Sequence, residues 1–208
     1  MYIFLKIFGY ELSYLEFFAV LTGLAAVYFA SRGKIVNFYI GLVNNVLYFL
    51  LFYQCRLYSM MLLQVAYFTI SSYGIYSWSK PNINRELLKI TRLTKKQWLF
   101  IIAIIIFAAI VWGTLVVWLS GKYPVNIEKP RYPYIDALLT MASITGQILL
   151  TRKKIDNWTI WIAVNIASVA LYSVIGIYFT SILYAVFLII AIKAYFNWKK
   201  ELQIVYFT

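Results

Sequence analysis

The sequence has 208 residues, of which 63% are hydrophobic and only 12% are charged, and its formal net charge is +12. A soluble domain of this size needs far more charge to cover its surface, and the apolar residues come in long blocks. We therefore predict an all-α, polytopic membrane protein. With no histidine and one cysteine, histidine catalysis, histidine-bound metal and an internal disulfide are excluded. We expect no cofactor, and the basic residues stand at the ends of apolar blocks, which favours topology signals over nucleic-acid binding.

Seven apolar blocks are long enough to cross about 30 Å of hydrocarbon, which takes roughly 20 helical residues. In chain order they lie near residues 15–31, 35–54, 58–78, 98–119, 134–151, 158–176 and 179–198. Two connections are long. Residues 79–97 are strongly basic and are predicted to lie on the surface of the bilayer. Residues 120–133 hold three of the four prolines and are predicted to form an irregular loop.

Basic residues are unevenly divided between the two sides that alternating spans define. Fourteen lysines and arginines fall on one side and five on the other. Cytoplasmic loops carry the excess of positive charge, so the richer side is predicted to be cytoplasmic. The N-terminus is therefore expected outside and the C-terminus in the cytoplasm.

An internal repeat relates the two halves, because residues 14–78 align with 134–198 without a gap at an offset of 120. The informative pairs are Tyr14/Tyr134, Glu16/Asp136, Arg32/Arg152, Lys34/Lys154, Asn37/Asn157, Asn45/Asn165, Tyr58/Tyr178 and Trp78/Trp198. Each copy has an odd number of spans, so the fourth span is needed to give both copies the same orientation. We predict a 3+1+3 arrangement of parallel repeats: a first three-helix bundle at 1–80, a basic connector, linker helix and loop at 81–133, and a second bundle at 134–208.

Polar side chains at membrane depth cost free energy and are functional candidates. Asn45 lies about ten residues, or roughly 15 Å, into the second span, and Asn165 is its counterpart in the sixth. Gln64 and Tyr67 share one face of the third span, and Gln147 lies in the fifth. We predict that these side chains line a substrate site. For the neighbouring serines and threonines, hydrogen bonding between helices explains their presence as well as substrate binding does.

Aromatic residues give a second signal in the sixth span. Trp158, Trp161 and Asn165 stand at i, i+3 and i+7, on one face of a helix. Indoles beside an amide suit a flat, cationic ring that carries hydroxyl groups. Trp158 also lies near a span end, where an interfacial anchor is the alternative. Interfacial belts are the expected place of the other tryptophans near span ends, namely Trp78, Trp98, Trp112, Trp118 and Trp198.

The positions of the acidic residues bear on ion coupling, since all seven lie in loops or close to span ends. We expect no buried carboxylate and hence no site for proton or sodium coupling. A Gly-Lys-Ser/Thr loop for ATP is also missing from the sequence. The expected activity is that of an uncoupled carrier or channel, not of an enzyme.

The motif of Trp158, Trp161 and Asn165 resembles the signature of the PnuC family of vitamin transporters, as do residues 41–45 and 57–64 in the first half. The resemblance implies uptake of nicotinamide riboside for NAD biosynthesis across the cell inner membrane by facilitated diffusion. A cytoplasmic kinase would make uptake one-way and is coupled functionally only. The resemblance also implies seven spans arranged as in SWEET sugar transporters, and a homotrimer.

The resulting hypothesis is a nicotinamide riboside facilitator, with its substrate between the two bundles and alternating access by rocking. The amides that would bind the ribose and carboxamide are Asn45, Gln64, Gln147 and Asn165. The aromatic rings that would stack on the pyridinium are Tyr67, Trp158 and Trp161. Thiamine, another cationic aromatic, fits the same lining. Ile166 follows Asn165 where the family often has a polar residue, so the substrate stays open. A binding module of a larger uptake complex is the alternative of a different class.

Overall fold

The computed structural model describes residues 3–7, 10–54, 58–80, 88–123, 132–174, 176 and 178–207. Seven helices form in the predicted places: α1 (Tyr14–Ser31), α2 (Val36–Gln54), α3 (Tyr58–Ser79), α4 (Lys95–Lys122), α5 (Pro133–Thr151), α6 (Asp156–Val174) and α7 (Tyr178–Phe207). The seven helices predicted from the apolar blocks are therefore confirmed. Helix α4 begins three residues before its predicted start, at a capping box in which Thr94 and Gln97 bond each other's backbone N–H groups.

Six helices are long and apolar enough to cross a membrane, namely α1, α2, α4, α5, α6 and the part of α7 from Thr180 to Gln203. Helix α3 has 22 residues, enough for the same span, but it is more polar and is not among the six. Large apolar side chains such as Leu99 and Phe107 of α4, both 71% exposed, are suited to contact lipid. The chain is a multi-pass membrane protein. The seventh crossing, by α3, and the orientation of the termini stay predictions.

A short β-hairpin precedes α1 and was not predicted. Strand β1 (Ile3–Ile7) pairs antiparallel with β2 (Tyr10–Ser13). Ser13 ends the hairpin and caps the helix, since its side-chain oxygen accepts a hydrogen bond from the backbone N–H of Glu16 at 3.1 Å. The all-α prediction thus holds for the spans and misses this small element.

The chain forms two compact units. One comprises Met1–Lys89 with Phe196–Thr208, and the other comprises Ile90–Tyr195. In the first unit α1 packs on α2 and α2 on α3, while in the second α4 packs on α5 and α5 on α6. The division at residues 80 and 133 follows the sequence repeat and stays a prediction.

The turn before α2 and the turn before α6 have the same backbone geometry. Gly33 and Lys153 occupy equivalent places with positive φ angles of 63° and 48°, a region that costs free energy for a residue with a side chain. Asn37 and Asn157 each donate their side-chain Nδ2 to the backbone carbonyl three residues earlier, at 2.6 Å in both cases. These two asparagines of the repeat therefore close turns.

Three aromatic rings form a buried cluster in the first unit. Phe38 lies 5.0 Å from Trp78 in an edge-to-face arrangement, and Trp78 lies 6.4 Å from Trp198 between ring centroids. Because Trp78 and Trp198 are 6% and 0% exposed, the prediction that they anchor the membrane interface is wrong. Trp118 is 56% exposed, with the Lys122 ammonium 4.9 Å from its ring, as an interfacial residue would be.

The second unit has an apolar core built by α4, α5 and α6. Four buried side chains form its centre, namely Ile105, Leu149, Ile160 and Val164. Trp98 and Trp161 pack against this cluster while remaining partly exposed. Trp98 therefore belongs to the core of its unit, contrary to the prediction that it lies in an interfacial belt.

Gly74 lets α3 approach α2, and its replacement tests that contact. A Cβ at this position would lie 2.5 Å from the Phe38 ring, so Gly74→Ala must displace the buried ring or the helix. We expect the substitution to lower the free energy of unfolding by about 1–3 kcal/mol, measured as a lower melting temperature in detergent. Gly121→Ala is the matched control, because nothing lies within 4 Å of its Cβ position. Equal melting temperatures for the two variants would contradict the prediction.

Candidate functional site

Two neighbouring asparagines of α2 have opposite surroundings. Asn44 donates its Nδ2 to the backbone carbonyl of Ala19 at 2.6 Å and lies 3.0 Å from the hydroxyl of Thr22, so it joins α2 to α1. Asn45 is only 7% exposed, yet its side chain has no hydrogen bond to any residue that the structure describes. Successive residues of a helix point about 100° apart, which is why the two amides differ. Asn44 is a packing residue, and Asn45 is the candidate for binding.

The second repeat supports this distinction. The counterpart of Asn44 is Val164, which is 4% exposed and belongs to the apolar core together with Leu139 and Ala142. These two residues are the counterparts of Ala19 and Thr22, so the same helix contact is polar in one repeat and apolar in the other. Of the two neighbouring asparagines, only Asn45 has an identical counterpart, Asn165. The shared amide is therefore not required for packing α2 on α1 or α6 on α5.

Asn165 and Gln64 resemble Asn45 in their burial. Their exposed fractions are 3% and 8%, and neither side chain has a hydrogen bond within the described ranges of the chain. None of their amide atoms is among the fully buried, unpartnered side-chain atoms of the described residues, so these amides keep some access to open space. These three amides, on α2, α3 and α6, provide donors and acceptors that a bound molecule can satisfy.

The other four predicted residues already contact protein. Tyr67 and Gln147 are half-buried, and each has an interaction within the chain. The Trp161 indole packs on α5, since a Cβ at Gly146 would lie 3.2 Å from its Cε2 and Nε1 atoms. Trp158 is 2% exposed and also has a contact within the chain. Within the first unit Asn45, Gln64 and Tyr67 thus lie on the packed pair α2 and α3, and within the second Gln147, Trp158, Trp161 and Asn165 lie on the packed pair α5 and α6.

Ile166 departs from the pattern that the family signature often shows, and the structure places it on another face of α6. Its side chain is 55% exposed, whereas the preceding Asn165 is buried. An exposed isoleucine suits a surface in contact with lipid. The departure therefore leaves the buried amide unaltered.

One carboxylate is buried, contrary to prediction. Asp156 begins α6 and is 3% exposed; its Oδ2 accepts a hydrogen bond from the backbone N–H of Leu93 at 2.7 Å, and its Oδ1 accepts one from the Trp98 indole at 2.8 Å. The guanidinium Nε of Arg92 lies 4.0 Å from Oδ1. Periodicity could not show this group, because its partners lie about sixty residues earlier in the chain. Since both oxygens accept hydrogen bonds from protein at the start of the helix, they are not available for coupling at mid-membrane.

The basic connector is partly described. Residues 81–87 of the predicted surface segment lie outside the described residues, and residues 88–94 are not helical. Thr91 pairs with the turn between α5 and α6, donating its N–H to the carbonyl of Lys153 and accepting from the N–H of Ile155, both at 3.0 Å. This part of the connector is therefore a structural piece of the second unit.

Comparison with known proteins identifies the family. Residues 13–200 match the family model described as nicotinamide mononucleotide transporter. The nicotinamide riboside transporter PnuC of Escherichia coli K12 is 30% identical over 210 residues, which cover 91% of this chain and 87% of the relative. The protein of the same name from Neisseria mucosa is 29% identical, covering 90% and 73%.

A solved structure agrees with these relatives. The crystal structure of the vitamin B3 transporter PnuC superposes with a TM-score of 0.68 at 27% sequence identity, covering 92% of this chain and 83% of that one. The match extends over nearly the whole chain. Together with the seven helices, these likenesses show that the chain belongs to the nicotinamide mononucleotide transporter family.

Proposed function

We propose that this chain carries nicotinamide riboside across the cell inner membrane by facilitated diffusion. The observation that carries the proposal is the set of three buried amides, Asn45, Gln64 and Asn165, that have no hydrogen bond within the described part of the chain. Relatives that share 29–30% of their residues with it are named nicotinamide riboside transporters. The substrate would supply the hydrogen bonds that these amides lack.

The chemistry of nicotinamide riboside matches this set of side chains. Its carboxamide and ribose hydroxyls both donate and accept hydrogen bonds, as a protein amide does. Its pyridinium is a flat cation, which an aromatic ring attracts through its electron-rich face. We assign Asn45, Gln64, Gln147 and Asn165 to the polar atoms. Tyr67, Trp158 and Trp161 are assigned to the pyridinium.

The charges of the helices favour the nucleoside over its phosphorylated form. Helices α2, α3, α5 and α6 contain no lysine or arginine. A phosphate monoester carries close to two negative charges near neutral pH and is bound in proteins mainly by basic side chains or groups of backbone N–H donors. An uncharged lining accepts a ribose hydroxyl where it would penalise a phosphate. The proposal is therefore the riboside, although the family is described by the mononucleotide.

The proposed transport mechanism is alternating access, as the internal repeat predicts. Two parallel three-helix repeats in a 3+1+3 arrangement, with the N-terminus outside, would give alternating access. No ion is coupled, because the one buried carboxylate described, Asp156, has both oxygens hydrogen-bonded to protein. Phosphorylation of the riboside in the cytoplasm would then make uptake one-way. The proposal includes a trimer, as the family resemblance implies.

Thiamine is the second candidate, because it also joins a cationic aromatic ring to a hydroxyl group. The partly buried Trp161 indole and the unbonded amide of Asn165 fit this vitamin as well.

Transport by the purified protein decides between these substrates. Proteoliposomes are given labelled nicotinamide riboside, thiamine or nicotinamide mononucleotide, with and without a riboside kinase inside. We expect riboside entry until its concentrations are equal on both sides, accumulation only with the kinase, and no entry of the mononucleotide, because its phosphate has no basic partner in the lining.

Each alternative predicts another result in the same assay. Entry of thiamine but not of the riboside would make the chain a thiamine carrier. Entry of neither vitamin would favour a binding module that needs a further protein. Entry of the mononucleotide would contradict the argument from charge.

Substitutions of the shared amides test the site. Asn45→Leu and Asn165→Leu remove the polar atoms and nearly preserve the volume. We expect each to weaken riboside binding about tenfold, the effect of losing one to two hydrogen bonds, in calorimetry on purified protein. Exposed Ile166→Leu is the control on the same helix and should leave affinity unchanged. Wild-type affinity in Asn165→Leu would remove this residue from the site.

The same residues make an opposite prediction for stability without substrate. Asn45→Leu should raise the melting temperature or leave it unchanged, because an unbonded buried amide is replaced by an apolar group. Asn44→Leu should lower the melting temperature, corresponding to a loss of about 1–3 kcal/mol in the free energy of unfolding, because it removes the two hydrogen bonds of Asn44 to Ala19 and Thr22 that join α2 to α1. Equal losses in both variants would show that Asn45 is also a packing residue.

A further inference from the structure

The second repeat has a hydrogen-bonded clamp at the start of its substrate helix. The Asp156 carboxylate accepts hydrogen bonds from two donors, the backbone N–H of Leu93 in the connector at 2.7 Å and the indole of Trp98 in the first turn of α4 at 2.8 Å. Arg92 lies between this carboxylate, 4.0 Å away, and the hydroxyl of Tyr195 on α7, to which it donates at 3.3 Å. One buried carboxylate thus links the start of α6 to the connector and the first turn of α4.

Backbone pairing strengthens the clamp. Thr91 exchanges hydrogen bonds with the residues on either side of Lys154, which form the turn leading into α6. Trp98 also packs into the apolar core of the unit, so the donor that reaches Asp156 is itself fixed. The carboxylate stands at the N-terminal end of the helix, where the helix dipole favours negative charge. The position of the α6 start is therefore determined by several independent contacts.

The first repeat lacks this clamp. At the offset of 120 the counterpart of Asp156 is Val36, an apolar residue that is 43% exposed. The turns before the two helices are otherwise alike, with Asn37 and Asn157 making the same bond. Folding the turn therefore does not require the carboxylate. A feature that one repeat has and the other does without is a candidate for a role beyond the fold.

Asp156 stands on the helix that carries three proposed substrate residues. Trp158, Trp161 and Asn165 follow it by two, five and nine positions, the last about 13 Å further along the axis. A helix is stiff over this length, so fixing its first residue sets both the depth and the rotation of Asn165. A shift of 1 Å in a binding group is enough to lose much of its interaction.

We infer that Asp156 is a positioning residue for substrate binding: it sets the depth and rotation of α6 so that Asn165 and Trp161 meet the substrate. This inference rests on the proposed function. Asp156 itself does not touch the substrate in this scheme, since protein donors occupy both of its oxygens. Its effect appears as affinity and not as the loss of a coupled ion.

Asp156→Asn tests the inference with little change in shape. The amide keeps one acceptor but turns an NH₂ group toward one of the two donors, so one hydrogen bond to a charged group is lost. We expect the dissociation constant and the KM for transport to rise about tenfold, with the maximal rate per folded protein kept within about twofold. A purely structural role would lower the folded fraction and the maximal rate and leave KM unchanged.

Trp98→Phe is the second variant, and it is also combined with Asp156→Asn in a double variant. It removes the indole donor and keeps an aromatic ring in the core, so KM should rise about threefold. In the double variant the amide introduced at position 156 no longer faces the Trp98 indole, because that donor has been removed. Since both substitutions break the same contact, the double variant should bind the substrate no more weakly than Asp156→Asn alone. Asp136→Asn is the matched control, since Asp136 lies in the first turn of α5 in the same unit and is exposed. It should leave KM unchanged.

The outcomes separate this inference from the proposed function. All variants are measured with whichever vitamin the wild type binds, so a thiamine carrier would contradict the riboside proposal and still test the clamp. Wild-type KM in both Asp156→Asn and Trp98→Phe would overturn the inference alone. Additive losses in the double variant would also overturn it. If Asp156→Asn does not fold, Trp98→Phe decides, with unchanged KM counting against the clamp and raised KM supporting it.

Discussion

Inside a membrane a polar side chain can satisfy its hydrogen bonds only with protein or with a bound molecule. Several hydroxyls in the helices meet this constraint locally, because Thr22, Ser143 and Thr145 each donate to the carbonyl four residues earlier in their own helix. Asn44 meets it by joining α2 to α1. Against this background the buried amides without a protein partner stand out, and the proposed substrate site consists first of those exceptions.

The two repeats have diverged at contacts and kept their turns and amides. The same helix contact is held by a hydrogen bond at Asn44 and by apolar packing at Val164. The same turn uses glycine at position 33 and lysine at 153, with the cost of a positive φ falling only on the lysine. Packing can be rebuilt with other chemistry because it needs only shape and satisfied polar groups. An amide that neither contact uses is maintained by something else, and substrate binding fits that requirement.

Much of the fold could be predicted because each span leaves a local signal. Apolar length predicted all seven helices, and the repeat together with depth selected Asn45 and Asn165. Contacts between distant segments left no such signal. The bond from Trp98 to Asp156 joins residues 58 positions apart, and the buried pair Trp78 and Trp198 looked like two interfacial anchors. The difference between Asn44 and Asn45 likewise depends on which helix face meets a neighbour, which an almost uniformly apolar helix does not show.

None of the seven side chains assigned to the substrate is charged, and this bears on how such a carrier would work. A carboxylate facing the pyridinium at mid-membrane would bind it tightly, and it would stay as an uncompensated charge after release, at a cost of several kcal/mol. Neutral amides and aromatic rings avoid that cost, because the empty site contains no charge to stabilise. Moderate affinity on both sides suits a carrier without an energy source, in which capture by phosphorylation supplies the direction. Placing the one buried carboxylate described, Asp156, at the helix start fits the same logic, since there it can order α6 through the Leu93 and Trp98 donors without binding the cation itself.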